Sequence, residues 1–354
     1  MPLITGHSLV SFATTCLLLR PTTSIVVGLI LLTSISVPHT FTTTIGIGPV
    51  HALSPSSSRI ISAVGNMPTT ERSGDGTVTV SPTNEADQSA LVVICHGLGD
   101  SAEGFVDVAE HLSAALPHVK FILPTAPTQP VTMNMGMPMP SWYDIVGLDE
   151  RSNESCKGID GSVSKIRSIL QSEHETTGLP YSRMVLAGFS QGGALSLFTG
   201  MQLEIGSEQK LAGVLLMSGY LPAAKQFKIT PGLEDTPILH CHGESDPMVQ
   251  FAMAKKSREH VTERGATEYE IKGYPGLVHS VSPEEIADVL AFLTRVLPPD
   301  ESCRITLKDP SDMSVKELKA AIRKAGLGSK AVGLMEKSEF VKLLKDHREG
   351  GIGK

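Results

Sequence analysis

Between residues 90 and 296, short continuous apolar runs alternate with longer stretches whose apolar residues recur every three or four positions. LVVIC at 91–95, VKFIL at 119–123, RMVLAG at 183–188, AGVLLMS at 212–218, PILHC at 237–241 and TEYEIK at 267–272 read as strands. Phe105, Val108, Ala109, Leu112 and Leu116 mark one helix; Val163, Ile166, Ile169 and Leu170 mark another. Residues 191–203, 252–264 and 284–296 continue the helical pattern. Strands apolar on both faces and separated by crossover helices predict a mostly parallel sheet with helices on both sides. In such sheets the chemistry belongs at the carboxyl ends of the strands.

The flanks differ. Residues 1–66 contain no acid and hold the 13-residue apolar run IVVGLILLTSISV at 25–37. That run is short of the roughly 20 residues of a bilayer span. It suits a removable targeting leader, with a signal anchor or a misplaced start as alternatives. Secretory-pathway or organelle targeting follows from the leader, whereas a start at Met67 would give a cytoplasmic form. Residues 67–89, rich in Pro, Ser, Thr and Gly, predict a flexible linker, 90–299 the main domain and 300–311 a second linker. Ser314-Val315-Lys316-Glu317 is a capping-box pattern that opens a helical stripe of Leu318, Ala321, Ile322 and Ala325, ended by Gly326. Phe340, Val341, Leu343 and Leu344 predict a second helix, giving a small helical module over 312–349.

Charge sharpens this division. The chain has 30 Lys+Arg and 37 Asp+Glu, which excludes a uniformly basic nucleic-acid binder. From Arg304 onward there are 12 basic and 7 acidic residues (+5), leaving 18 basic and 30 acidic elsewhere (−12). The five cysteines are far apart with no C-x-x-C pair, so neither a zinc site nor a disulfide scaffold is indicated, and no metal or cofactor is expected.

One strand runs into Gly188-Phe189-Ser190-Gln191-Gly192, a G-x-S-x-G turn that leads into a helix. Glycines on both sides let the chain turn tightly and thrust the serine out at the sheet edge. The backbone N–H of Gln191 then lies at a helix N-terminus, beside any oxyanion that forms. A serine hydroxyl needs a base. Asp246, just beyond PILHC, and His279, in the loop after TEYEIK, complete the order Ser, Asp, His, with Glu244 as a weaker rival for the acid. His240 and His242 alternate on one strand face and are expected to be hydrogen-bonded structural residues rather than ligands. His96-Gly97-Leu98-Gly99 forms a turn able to aim the Leu98 N–H at the same oxyanion.

ICHGLGD, PVTMNMGMPMPSWYDIVGL, GFSQGGALSL, KLAGVLLMSGYLP, CHGESDP, VHS and FLTRVLPP follow one another in an order and spacing that resemble the acyl-protein thioesterase (phospholipase/carboxylesterase) family over about residues 90–299. The resemblance implies an α/β-hydrolase fold and removal of long acyl chains, notably palmitate, from protein cysteines, with lysolipids and simple esters as other substrates. It implies Ser190 as nucleophile, Asp246 as acid, His279 as base, and Leu98 and Gln191 as oxyanion donors. Apolar lining is implied around Trp142, Ile145 and Val146. Glu244 and the MVQ at 248–250 depart from the family pattern and leave substrate preference open. The Met/Pro-rich stretch containing Met133, Met135, Met137 and Met139 reads either as a loop packed on the core or as a wall over an acyl groove, with Met137 a candidate lining residue. The alternatives are a lysophospholipase or general carboxylesterase and, in another class, a scaffold acting through the C-terminal module. That module resembles SAP-like helical units, many of which bind DNA. An unidentified protein partner or plain packing is the preferred reading, nucleic acid is not the expected partner, and transient membrane contact through apolar residues is allowed.

Overall fold

The computed structural model describes residues 68–147, 155–204 and 206–350. The leader and the alternative start Met67 lie outside the described residues.

An eight-stranded sheet organises the molecule, in the order β1-β2-β4-β3-β7-β8-β9-β10. β3 (Ala90–Cys95), β4 (Val119–Leu123), β7 (Met184–Phe189), β8 (Gly213–Met217), β9 (Ile238–Gly243) and β10 (Tyr269–Tyr274) run parallel. All six coincide with the apolar runs to within two residues at most of their ends. Alternation within β3 shows why both faces are apolar. Leu91, Val93 and Cys95 enter one core with residues of α2 (Ile159–Thr177), α3 (Gln191–Gly200) and α4 (Phe251–Glu263). Ala90, Val92 and Ile94 enter the other with α1 (Val106–Ala115) and α5 (Pro283–Val296). This is the α/β-hydrolase layering.

Two expectations are corrected. The stretch 67–89 is not a flexible linker throughout: β1 (Thr69–Arg72) and β2 (Val78–Ser81) form an antiparallel hairpin that extends the sheet, with β2 antiparallel to β4. Val78 and Val80 are buried, opposite Leu123 and Phe121. The alternation Val-Thr-Val is a strand signal hidden among turn-forming residues. Gly76, at φ +81, supplies the left-handed position of the turn. The methionine-rich stretch is likewise a hairpin, β5 (Thr128–Val131) with β6 (Met137–Pro140), turned at Met135 and Gly136, which both have positive φ.

At the C-terminus, α6 (Val315–Lys324) and α7 (Lys337–Gly350) share a small core of Met313, Leu318, Ile322, Leu327, Phe340 and Leu344. The capping box forms: the Ser314 hydroxyl accepts from the Glu317 N–H at 3.2 Å, and the Glu317 carboxylate accepts from the Ser314 N–H at 2.6 Å. The segment docks on the β2–β3 connection. The Ile305 N–H donates to the Gln88 carbonyl at 2.9 Å, the Asn84 amide to the Arg348 carbonyl at 3.2 Å and the His347 ring to the Thr83 carbonyl at 3.2 Å. Those contacts lie at the amino ends of the parallel strands, the pole opposite the one where chemistry is expected.

Candidate active site

β7 delivers Ser190 at φ 53°, ψ −120° between the strand and α3. A serine tolerates this left-handed geometry only where its surroundings impose it. The surroundings here are glycines in backbone contact. A Cβ on Gly192 would collide with the Cys95 carbonyl, and one on Gly188 with the backbone of Gly192. The Ser190 N–H donates to the Met217 carbonyl at 2.8 Å, fixing the turn from the neighbouring strand.

Three distant residues meet at this edge. His279 Nε2 lies 2.9 Å from Ser190 Oγ, and Nδ1 lies 2.6 Å from Asp246 Oδ2. The second oxygen of Asp246 accepts from the N–H groups of Met248 and Val249 at 2.8 and 2.9 Å. Burial pushes the Asp246 carboxyl up. The hydrogen bond and charge of His279 with those two N–H groups outweigh it, and the pKa lies below the ordinary carboxylate value. Asp246 is therefore ionised at neutral pH and holds Nδ1 protonated, leaving Nε2 free to accept. The loops carrying acid and base are stitched together: the Glu244 and Ser245 N–H groups donate to the Tyr274 and Leu277 carbonyls at 3.0 and 3.1 Å. The rival acid Glu244 is exposed and is not the hydrogen-bond partner of His279.

The two candidate donors sit on either side of the serine. The Gln191 N–H is in the first turn of α3, where no preceding helical carbonyl can receive it. Leu98 follows Gly97, whose Cβ would stand 3.2 Å from the Phe189 ring and 3.5 Å from Ser190 Cβ. The Leu98 turn therefore lies against the nucleophile. His96 braces it: Nδ1–H donates to the Gly97 carbonyl at 2.6 Å, while Nε2 accepts from the Ala126 N–H at 3.0 Å. Burial lowers the His96 pKa, consistent with that neutral tautomer. From the other side the Gly99 N–H donates to the Pro140 carbonyl at 2.9 Å, tying the methionine hairpin to the same turn.

The side chain of Gln191 has a second use that its backbone position does not reveal. Wholly buried, it accepts from the Trp142 N–H at 2.9 Å and donates to the Tyr143 carbonyl at 2.7 Å and to Ser141 Oγ at 3.1 Å. Trp142 corrects the expectation of a lining residue. It is fully buried, its indole N–H donates to the His96 carbonyl at 2.8 Å, and it supports the Leu98 turn from below. Ile145 is also buried, whereas Val146 and Met137 are about half exposed. Met248, beside Asp246, and Val278, beside His279, are exposed apolar residues that sequence reasoning missed.

A buried chain runs back from the acid loop. His242 Nε2–H donates to the Val249 carbonyl at 2.7 Å, so its Nδ1 accepts from His240 Nε2 at 3.2 Å; His240 Nδ1 then accepts from the Tyr269 hydroxyl at 2.9 Å. Burial depresses both imidazoles, His240 well below its ordinary value, so both are neutral structural residues.

Glu285 lies in the first turn of α5. Ser282-Pro-Glu-Glu285 has capping-box spacing, and the Ser282 hydroxyl does accept from the Glu285 N–H at 3.1 Å. The Glu285 side chain turns inward and is fully buried, with only the Ser282 backbone N–H favouring its ionised form. Burial, then the nearby Asp288, raises its pKa from 4.5 to about 7. The native state thus holds this proton more tightly than the unfolded chain, so its stability advantage is full below about pH 4.5 and is lost as pH rises through about 7. The loss is on the order of 3 kcal/mol at 1.36 per unit. Glu285→Gln, which cannot ionise, is expected to be the more stable protein at pH 8 and to match the parent near pH 4.5, read as urea midpoints across pH. A variant less stable than the parent at pH 8 would contradict a buried neutral acid.

The phospholipase/carboxylesterase family profile matches residues 75–297. The chain belongs to that family. It is 38% identical over 237 residues to acyl-protein thioesterase 1 of Mycosarcoma maydis, covering 63% of this chain and 97% of the relative. It is 40% identical over 211 residues to acyl-protein thioesterase 1 homolog 1 of Dictyostelium discoideum, covering 59% and 92%. Among solved structures it is similar to Zea mays acyl-protein thioesterase 2 (TM-score 0.55, 29% identity, 62% of this chain, 98% of that one). It is also similar to the L63A variant of Arabidopsis thaliana SOBER1 (TM-score 0.53, 31% identity, 59% and 99%). Family membership makes the chain a hydrolase of the α/β class. The family match ends at residue 297, before α6 and α7.

Proposed function

We propose that this hydrolase cleaves long-chain acyl thioesters, such as palmitoyl-cysteine in proteins, through Ser190, His279 and Asp246. The observation that carries the reading is the continuous hydrogen-bonded line from Asp246 through His279 to Ser190, 2.6 and 2.9 Å long. As Ser190 Oγ bonds to the acyl carbon, its proton passes to His279 Nε2. The resulting imidazolium is stabilised by the Asp246 carboxylate. Negative charge on the former carbonyl oxygen is received by the Leu98 and Gln191 N–H groups. The carbon–sulfur bond breaks and the His279 proton goes to the departing sulfur. Water then gives a proton to His279 as it attacks the acyl-enzyme, and His279 passes that proton to Ser190 Oγ as the acyl–oxygen bond breaks and the fatty acid leaves.

Support for a long acyl chain comes from the rim. Val278 and Met248 expose about half their surface on the loops that hold base and acid, and Met137 and Val146 do so in β6 and in the segment after Tyr143. Transfer of about eight methylenes to such a surface is worth roughly 6 kcal/mol at 0.8 per CH₂. That is enough to separate palmitoyl from acetyl groups. The test is kcat/KM for palmitoyl and acetyl thioesters of one cysteine peptide, with a lysophospholipid in parallel. The proposal expects the palmitoyl thioester to lead by orders of magnitude. A preference for acetyl would overturn the acyl-groove reading, and a preference for the lysophospholipid would move the assignment to lysophospholipase.

A further inference from the structure

Outside the active-site loops and the methionine hairpin, where Met135 is 89% exposed, the most exposed large apolar side chains among the described residues belong to the C-terminal module: Val332 is 82% and Met335 87% exposed. Both lie between α6 and α7. They are set off by Gly333 at φ +91°, and the turn is held by the Glu339 carboxylate, which accepts from the Met335 and Glu336 N–H groups at 2.8 and 2.9 Å. Folding gains nothing from leaving two such residues in water, and the six-residue core of the module does not use them.

The charge beside them is one-sided. Residues 315–335 hold five basic residues (Lys316, Lys319, Arg323, Lys324, Lys330) and one acid, Glu317. That acid is already engaged by the Lys308 ammonium at 2.9 Å and by the cap of α6. Lys316, Lys319 and Arg323 are exposed and recur at helical spacing, so they form one stripe along the flank of the buried Leu318 and Ile322, with the Lys319 ammonium 5.2 Å from the centre of the Phe340 ring. Acids return only at Glu336 and Glu339, on the far side of Met335.

The docking contacts free this end of the module. His347 and Arg348 meet the hydrolase near the C-terminal end of α7. The α6–α7 loop lies at its opposite end, ten residues of helix and about 15 Å away. A cationic stripe ending in an exposed apolar tip matches an anionic lipid surface, where phosphates meet the lysines and the tip enters the acyl boundary. A nucleic-acid backbone would reward the stripe but offers Val332 and Met335 nothing. Between residues 67 and 303 there are 16 basic and 30 acidic residues, so the hydrolase domain is repelled by such a surface and this module supplies the countering positive charge.

We propose that the α6 stripe and the α6–α7 loop tip form an anionic-membrane docking surface, on a module seated at the pole away from Ser190. The test uses the full chain and co-sedimentation with phosphatidylcholine vesicles, with and without phosphatidylserine, at low and high salt. The parent should bind the phosphatidylserine vesicles and release them as salt rises. Lys316→Gln/Lys319→Gln/Arg323→Gln should weaken that binding by about a hundredfold, at roughly fivefold per cation removed. Val332→Ser/Met335→Ser should weaken it as well. Both variants should hydrolyse a soluble short-chain ester like the parent, which shows that they are folded. Binding that ignores both sets of substitutions would overturn the proposal and place any membrane affinity elsewhere in the chain. So would displacement of the protein from vesicles by a DNA duplex whose own binding ignores the Val332/Met335 change, which would make the stripe a nucleic-acid surface.

Discussion

Replacing Ser190 by alanine is expected to lower kcat by on the order of 10⁶ if the three residues act as one unit. Without the hydroxyl, His279 has no oxygen to activate, and the imidazole 2.9 Å away can only assist water from the wrong position. The fold should survive. The turn is held by the glycines at 188, 192 and 193 and by the Ser190 N–H to the Met217 carbonyl, none of which needs the side chain. Alanine at φ 53° pays about the same backbone strain as serine. The check is single-turnover and steady-state hydrolysis of an acyl thioester, with circular dichroism showing native structure. Activity within tenfold of the parent would remove Ser190 from the chemistry.

Asp246→Asn should follow with a loss of about 10⁴ in kcat. The logic is tautomeric. Asp246 has one oxygen committed to two backbone N–H groups and the other to His279 Nδ1. An asparagine keeps its oxygen toward Met248 and Val249 and so turns its NH₂ toward the imidazole. Nδ1 must then accept, Nε2 carries the proton, and the ring can no longer take one from Ser190. Asp246→Ala removes that wrong donor and should be no worse than Asp246→Asn despite the larger change. If Asp246→Asn retains parental kcat, then Asp246 is not the group that sets the tautomer of His279.

Much of this was legible in the sequence because parallel strands are buried on both faces. Their apolar runs stand out without any partner information, and a G-x-S-x-G between a run and a helical pattern has one geometric meaning. Placing Asp246 and His279 required only that residues after strands gather at the carboxyl edge. What escaped notice depended on partners distant in sequence. β2 is four residues long and becomes a strand because β4 offers Leu123 and Phe121 to Val78 and Val80. The family resemblance puts Trp142 among the lining residues. Its indole N–H, however, finds the His96 carbonyl beneath the loop, and burial follows. The side chain of Gln191 is invisible to a motif that reads its backbone alone, although an amide inside a glycine-lined turn hints at a buried partner.

The central claim is that Ser190 is made reactive by His279. The most direct measurement is labelling of the full chain with a fluorophosphonate, followed by peptide mass spectrometry. A single modified residue, Ser190, is predicted, with labelling abolished in Ser190→Ala and strongly slowed in His279→Ala. Enzyme that turns over acyl thioesters while Ser190 stays unmodified, or that labels at the same rate without His279, would contradict it.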